Sequence, residues 1–285
     1  MTLVLAIQKN GRLSEKSRKL LEDAGIQFEN GGKNSMQTQA ANFPLKIYFL
    51  RDDDIPRWVE EGIADAGIVG ENILQESGKQ VILKDKLGFA RCRLSLAVPK
   101  NIEYDGIRSI EGWRIATSYP NILKNFLREK RIKVQIQPIS GSTEIAPGIG
   151  FADGIFDVVS TGSTLLSNGL KEVETVMTSQ AVLIAAKNLD REREKILNEL
   201  LFRIRSVKKA RNFKYILLNA PNEAIPEISR ILPGMKSPTI MPLAEADWSS
   251  LHSVVAEDDF WEIIGQLKAA GAQGILVIPI EKMIL

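Results

Sequence analysis

Over its first two thirds the chain alternates short apolar runs with amphipathic stretches. Residues 3–7 form an apolar run suited to a buried parallel strand. Ser14 is placed to cap a helix through Ala24, with Leu20 and Leu21 on one face and Gly25 as its stop. Residues 45–50 predict a second strand, and Ile55-Pro56 after Asp54 predicts a helix to about Gly62. Residues 64–70 read as a strand entering a glycine turn, and Glu71 opens another short helix. This βαβα rhythm predicts an α/β domain with a mostly parallel sheet.

Further along, strands are expected at 93–98, 114–117, 134–139 and 156–160, and one long apolar strand at 175–186. Pro120 starts a helix whose Ile122, Leu123, Phe126 and Leu127 share a face. A charged amphipathic helix spans 190 to about 204. From about residue 210 the order becomes βαββαβ, the ferredoxin-like arrangement. Its strands fall at 215–218, 239–243, 251–256 and 274–280, and its helices at 222–232, stopped by Pro233-Gly234, and 258–270, stopped by Gly271.

Composition narrows the chemistry. The 285 residues carry 37 basic and 35 acidic side chains, a net charge of +2, too balanced for a general nucleic-acid or membrane coat. The basic run at Lys208-Lys209-Ala210-Arg211 reads as a solvated linker or helix end rather than a nucleic-acid patch. The one cysteine, Cys92, rules out an internal disulfide framework and a cysteine-based zinc site. The one histidine, His252, rules out a multi-histidine metal site. The chain shows neither a membrane-length apolar run nor the basic start of a signal peptide, and a soluble cytoplasmic protein is expected.

The strongest local signal is 152–164, an apolar strand that ends in Ser160-Thr161-Gly162-Ser163-Thr164. Backbone N–H groups and hydroxyls of such a turn can converge on a phosphate, with Asp157 placed to hold ribose hydroxyls. An ordinary βα turn with hydroxyl caps fits the same pattern. No P-loop and no dinucleotide fingerprint is present. Ligands of open α/β sheets bind outside the carboxyl ends of strands. That rule converges Lys9, Arg12, Arg51 and Glu71, whose basic members suit a polyphosphate. Arg51 pairing with Asp52 to Asp54 on the surface is the alternative. Cys92, with no histidine base nearby in sequence, reads as a packed residue rather than a nucleophile.

Taken together, several motifs are similar, in order along nearly the whole chain, to those of the ATP phosphoribosyltransferase family. They are Gln8-Lys9-Asn10-Gly11-Arg12-Leu13-Ser14, Arg51-Asp52-Asp53-Asp54-Ile55-Pro56, Gly67-Ile68-Val69-Gly70-Glu71-Asn72, Cys92-Arg93-Leu94-Ser95-Leu96-Ala97 and Arg114-Ile115-Ala116-Thr117-Ser118-Tyr119-Pro120. The run from Glu144 through Asp157 and Thr161-Gly162 to Asn168-Gly169-Leu170 continues the match. Ser237-Pro238-Thr239-Ile240 and Ile280-Glu281-Lys282-Met283 resemble the family's long form.

The resemblance implies that ATP and phosphoribosyl pyrophosphate give phosphoribosyl-ATP and pyrophosphate, the first step of histidine biosynthesis, with Mg²⁺. It implies feedback inhibition by histidine, and a homo-oligomer ranging from dimer to hexamer. It also implies a two-lobed catalytic part like the type II periplasmic binding proteins, followed by a ferredoxin-like, ACT-like regulatory domain. Lobe one is placed at 1–90 with 180–208 returning to it, lobe two at 91–179 and the regulatory domain at 209–285. By the same resemblance Lys9, Arg12 and Arg51 are catalytic. Glu144, Asp153, Asp157, Ser160, Thr161, Gly162, Ser163 and Thr164 hold the phosphoribosyl donor. Gly70, Glu71, Cys92 and Arg93 meet the nucleotide, and Asn219, Thr239 and Gly274 form the histidine pocket. Asn219 stands where relatives can carry an acidic residue. The metal ligands stay unassigned. A solute receptor, a regulator's effector domain, a silent paralogue and a nicotinamide dehydrogenase are the rival readings, and fold alone does not separate them.

Overall fold

The computed structural model describes residues 1–29, 35–232 and 234–284. Pro233, half of the expected helix stop, lies outside the described residues. The chain divides into two compact units, Met1–Lys19 with Ile26–Leu197, and Leu20–Gly25 with everything from Asn198 onward.

The chain opens with β1 (Leu3–Gln8), α1 (Arg12–Asp23), whose residues from Leu20 belong to the second unit, β2 (Gln37–Gln39), β3 (Leu45–Leu50), α2 (Ile55–Glu60), β4 (Ala66–Gly70), α3 (Glu71–Ser77) and β5 (Ile82–Lys86). It continues with β6 (Cys92–Pro99), β7 (Arg114–Thr117), α4 (Pro120–Lys130), β8 (Gln135–Pro138), β9 (Gly154–Val159), α5 (Ser163–Ser167), β10 (Leu170–Ser179) and β11 (Ala181–Ala185). Helix α6 (Arg191–Ala210) follows, and its residues from Asn198 belong to the second unit.

These strands make two sheets, ordered β2-β3-β1-β4-β11-β5 and β10-β6-β9-β7-β8. Each contains a parallel triple, β3-β1-β4 in one and β8-β7-β9 in the other. Beside each triple lies an antiparallel strand, β11 and β6 respectively, and then an outer strand, β5 and β10. The chain passes from the first sheet to the second after β5 and returns after β10. Each sheet thus takes its antiparallel strand from the segment next to a crossing. This is the two-lobed plan of the type II periplasmic binding proteins.

Burial follows the sequence pattern. The all-apolar β11 is buried along its whole length, and α2 seats Ile55 and Val59 against Ala6, Val69, Val182 and Ile184. In the second lobe Leu123 and Leu127 of α4 pack on Leu94, Leu96, Ile115 and Phe156. Each such side chain, fully buried, contributes about 1.5–3 kcal/mol.

The second unit carries β12 (Phe213–Pro221), α7 (Ile225–Ile231), β13 (Thr239–Pro242), β14 (Trp248–Ala256), α8 (Glu257–Ala269) and β15 (Gln273–Pro279). Its sheet is antiparallel throughout, in the order β13-β14-β12-β15. This is the ferredoxin-like order, with the first and third strands central. Ile228 of α7 and Phe260 and Leu267 of α8 pack with Ile216, Leu218 and Leu251 of the sheet.

Several sequence expectations are corrected. Ser14 is not a cap: the helical bond from Glu15 N–H to the Gly11 carbonyl already includes it, and its hydroxyl donates to the Lys9 carbonyl at 3.0 Å. The strand expected at 175–186 is two strands that part at Gln180, where the chain changes sheets. The charged helix runs on to Ala210, so Lys208 and Lys209 sit in its last turn, where the helix dipole favours cations. Both sheets are mixed rather than mostly parallel. Strands β2 and β5 were not foreseen. Among the described residues no helix is long and apolar enough to cross a membrane.

Candidate active site

Strand β9 ends at Val159 and the chain turns through Ser160-Thr161-Gly162 into α5. Gly162 holds φ +82°, a left-handed conformation that glycine adopts without the Cβ penalty. Thr161 Oγ1 and Ser163 Oγ lie 3.0 Å apart on the exposed rim of the turn. Helix α5 has only five residues, so the turn's hydroxyls and first-turn N–H groups, rather than a long helix dipole, would meet an anion.

Asp157 faces the same space from the strand. Its Oδ2 accepts a short hydrogen bond from Thr143, and Ser118 Oγ lies 3.4 Å away; its Oδ1 accepts from Val158 N–H at 2.6 Å. Burial raises the Asp157 carboxyl above the usual aspartate value; these donors oppose the rise, and nearby Glu144 adds to it. A cavity of about 530 Å³ lies here, lined by Asp157, Thr143, Glu144 and 158–165, with Arg12 from the first lobe. One cation therefore comes to the hydroxyl turn from the opposite lobe.

A second cavity of about 600 Å³ shares Ser118, Tyr119 and Gly141 with the first. Its first-lobe side is acidic, with Asp52, Asp53 and Glu76 beside Ile73 and Ser77. Burial raises the Asp53 carboxyl, and Asp52 and Asp54 push it further while Arg51 opposes them. Burial likewise raises the Tyr119 phenol, helped by Asp157.

The other expected residues lie elsewhere. Lys9 Nζ reaches Met36 Sδ at 3.6 Å, and neither Lys9 nor the exposed Arg51 lines a cavity described above. Asp153 precedes β9, at the far end from the turn, and pairs with Arg114 at 2.7 Å. Glu71 pairs with Lys86 at 2.9 Å. Gly70 leaves room for its neighbour, since a Cβ there would lie 2.5 Å from Asn72 Oδ1. Cys92 is half-buried, and burial raises its thiol. Arg93 forks onto Glu172 at 2.6 and 2.5 Å and also donates to the Ser160 carbonyl at 3.1 Å, bracing the turn from behind.

Sequence reasoning missed Ser118, Tyr119 and Thr143 as site residues. The signal was available: Ser118-Tyr119 follows β7, and the small, hydroxylated Ser140-Gly141-Ser142-Thr143 follows β8, both at carboxyl ends of strands.

In the second unit Asn219 pairs in register with Ser250 and Gln273, and a Cβ on Gly274 would lie 3.6 Å from Asn219 Nδ2. Thr239 is opposite His252, two strands from Asn219. The His252 ring lies between Tyr215 Oη (2.7 Å) and Ser250 Oγ (3.1 Å).

Comparison with known proteins agrees with this architecture. Residues 51–206 match the family described as "ATP phosphoribosyltransferase", and 210–282 match "HisG, C-terminal domain". An ATP phosphoribosyltransferase of Cytophaga hutchinsonii is 58% identical over 99% of this chain and 98% of its own length. That of Phocaeicola vulgatus is 56% identical over 99% and 100%. A solved structure from Thermotoga maritima, described as an ATP phosphoribosyl transferase (HisG:HisZ) complex, superposes with a TM-score of 0.61. It is 30% identical and covers 72% of this chain and 99% of its own. The chain is a transferase and belongs to the ATP phosphoribosyltransferase family.

Proposed function

We propose that the enzyme joins ATP to phosphoribosyl pyrophosphate, releasing pyrophosphate and forming N1-(5-phosphoribosyl)-ATP, the first step of histidine biosynthesis. The observation that carries this reading is the cavity gathering the hydroxyl turn, Asp157 and a cation from the other lobe. Ser160 to Thr164 suit the donor's 5-phosphate, and Asp157 suits its ribose hydroxyls. Arg12 suits the pyrophosphate, which needs bidentate cationic contacts.

The acid-lined neighbouring cavity suits the uncharged nucleoside end of ATP better than its triphosphate. Adenine N1 attacks the anomeric carbon as the bond to pyrophosphate breaks, through a transition state with oxocarbenium character. No protein nucleophile is required. The protein's contribution is to align two polyanions and stabilise the leaving charge. Lys9 and Arg51 act at the cleft rim in this reading. Gly70, Glu71, Cys92 and Arg93 belong to the wall behind the nucleotide, and Asp153 steadies the start of β9.

Among the described residues no group of three or more His, Cys, Asp or Glu side chains is arranged to hold a metal ion. Asp157 and Glu144 at the donor cavity fit Mg²⁺, which keeps one or two carboxylates alongside substrate phosphates. Bound there, it would neutralise charge on the pyrophosphate.

Residues 1–90 with 180–208 form lobe one, 91–179 lobe two, and 209–285 the regulatory domain in this reading. Histidine inhibits by binding near Asn219, Gly274 and Thr239, and the enzyme works in the cytoplasm as dimers that assemble into hexamers. The Asn219 amide cannot pair ionically with the ligand's ammonium, so its contribution is a hydrogen bond. The direct test is absorbance detection of phosphoribosyl-ATP from the two substrates, with and without Mg²⁺ and histidine. Product that requires Mg²⁺ and falls with histidine supports the reading; no product refutes it.

A further inference from the structure

We propose that Glu76, seconded by Asn72, is a positioning residue that clasps the two catalytic lobes together; this rests on the transferase reading above. The two residues are four apart on α3 and so share one face. Helix α3 follows β4 of the first sheet, whereas α4 follows β7 of the second.

Glu76 crosses from one lobe to the other. Its Oε1 accepts from Asn121 N–H at 2.9 Å and its Oε2 from Ile122 N–H at 3.0 Å. The Asn121 amide returns a bond to the Glu76 carbonyl at 3.0 Å. Those N–H groups open α4, whose own N-cap residue, Tyr119, makes no capping bond through its side chain. A carboxylate of lobe one thus caps a helix of lobe two, where negative charge is favoured. One turn earlier, Asn72 Nδ2 donates to Tyr119 Oη at 3.1 Å, and Ser179 Oγ, at the return crossing, donates to Asn72 Oδ1 at 2.8 Å.

The position matters because Ser118 and Tyr119, just before α4, form the wall shared by both cavities, and Ser118 approaches Asp157. Lobes joined by two crossings can hinge. The clasp sets the fraction of molecules with the lobes together, and apparent affinity falls in proportion to that fraction. Saturating substrates restore the closed form, so the clasp acts on KM, and it is read on the donor, whose cavity Glu76 does not line.

The test uses Glu76→Ala and Glu76→Gln in the full chain. Steady-state kinetics with ATP, phosphoribosyl pyrophosphate and Mg²⁺ are combined with hydrogen exchange of the Asn121 and Ile122 amides without substrate. Glu76→Ala is expected to raise KM for phosphoribosyl pyrophosphate, whose cavity Glu76 does not line, about fivefold or more. Exchange at the two amides rises about tenfold. Glu76→Gln, which keeps one acceptor oxygen, lies between. Unchanged exchange overturns the clasp, and so does an unchanged KM for phosphoribosyl pyrophosphate in Glu76→Ala. A wild-type chain that makes no product refutes the transferase reading instead, and the exchange data then decide the clasp alone.

Discussion

Thr143 donates its hydroxyl hydrogen bond to the carboxylate of Asp157, tying the loop after β8 to the strand that carries the hydroxyl turn. Thr143 is itself buried, so this donor is aimed by packing. The carboxylate it serves is desolvated, and its ionised form is kept at a cost to the fold.

Asp157→Asn is therefore expected to separate affinity from stability. The folded carboxyl lies above its unfolded value, so its stabilising contribution is present below the ordinary aspartate range and is lost as pH rises through the folded value. The variant should be at least as stable as wild type at pH 7 by chemical denaturation. Its KM for phosphoribosyl pyrophosphate should rise about 10- to 100-fold, the worth of hydrogen bonds to a charged group. Wild-type kcat/KM should fall on the acid side at a higher pH than an ordinary aspartate would give, and the variant should lack that limb.

Gly70→Ala tests the packing beneath the return crossing. The new Cβ would meet Asn72 Oδ1 at 2.5 Å, so Asn72 must leave Ser179. Urea unfolding should show a loss of about 1–3 kcal/mol.

Glu172→Gln tests the brace behind the turn. Chiefly through hydrogen bonds from Arg93, Glu172 is held down at about 2. A lowered carboxyl stabilises the fold above its unfolded value and loses that contribution as pH falls toward 2. The pair is partly exposed, so the expected loss at pH 7 is about 0.2–1 kcal/mol. Thermal melts of wild type and variant should differ at pH 7 and converge as pH falls toward 2.

How far the sequence carried is clear from particular residues. Strands β1 and β4 were legible because burial on both faces leaves a continuous apolar run, whereas β3 alternates buried and half-buried positions and β9 is apolar on either side of Asp157. Strand β2, Gln-Thr-Gln at an exposed edge, carries no such signal. Strand β5, with Lys84, Asp85 and Lys86, is likewise too polar to read. The break at Gln180 was hidden because strands on either side of a crossing read as one run. In the site, the hydroxyl turn and Asp157 announced themselves locally. Thr143 and Glu76 did not, because their partners lie 14 and 45–46 residues away and only the topology brings them together.

The central claim is that the cavity at the hydroxyl turn holds the sugar pyrophosphate. Isothermal titration calorimetry of phosphoribosyl pyrophosphate with Mg²⁺, on wild type and Thr161→Ala, tests it most directly. Saturable binding by wild type, weakened about tenfold or more in the variant while ATP affinity is retained, is the predicted result. No binding heat from wild type, or equal donor affinity in both proteins, would contradict it.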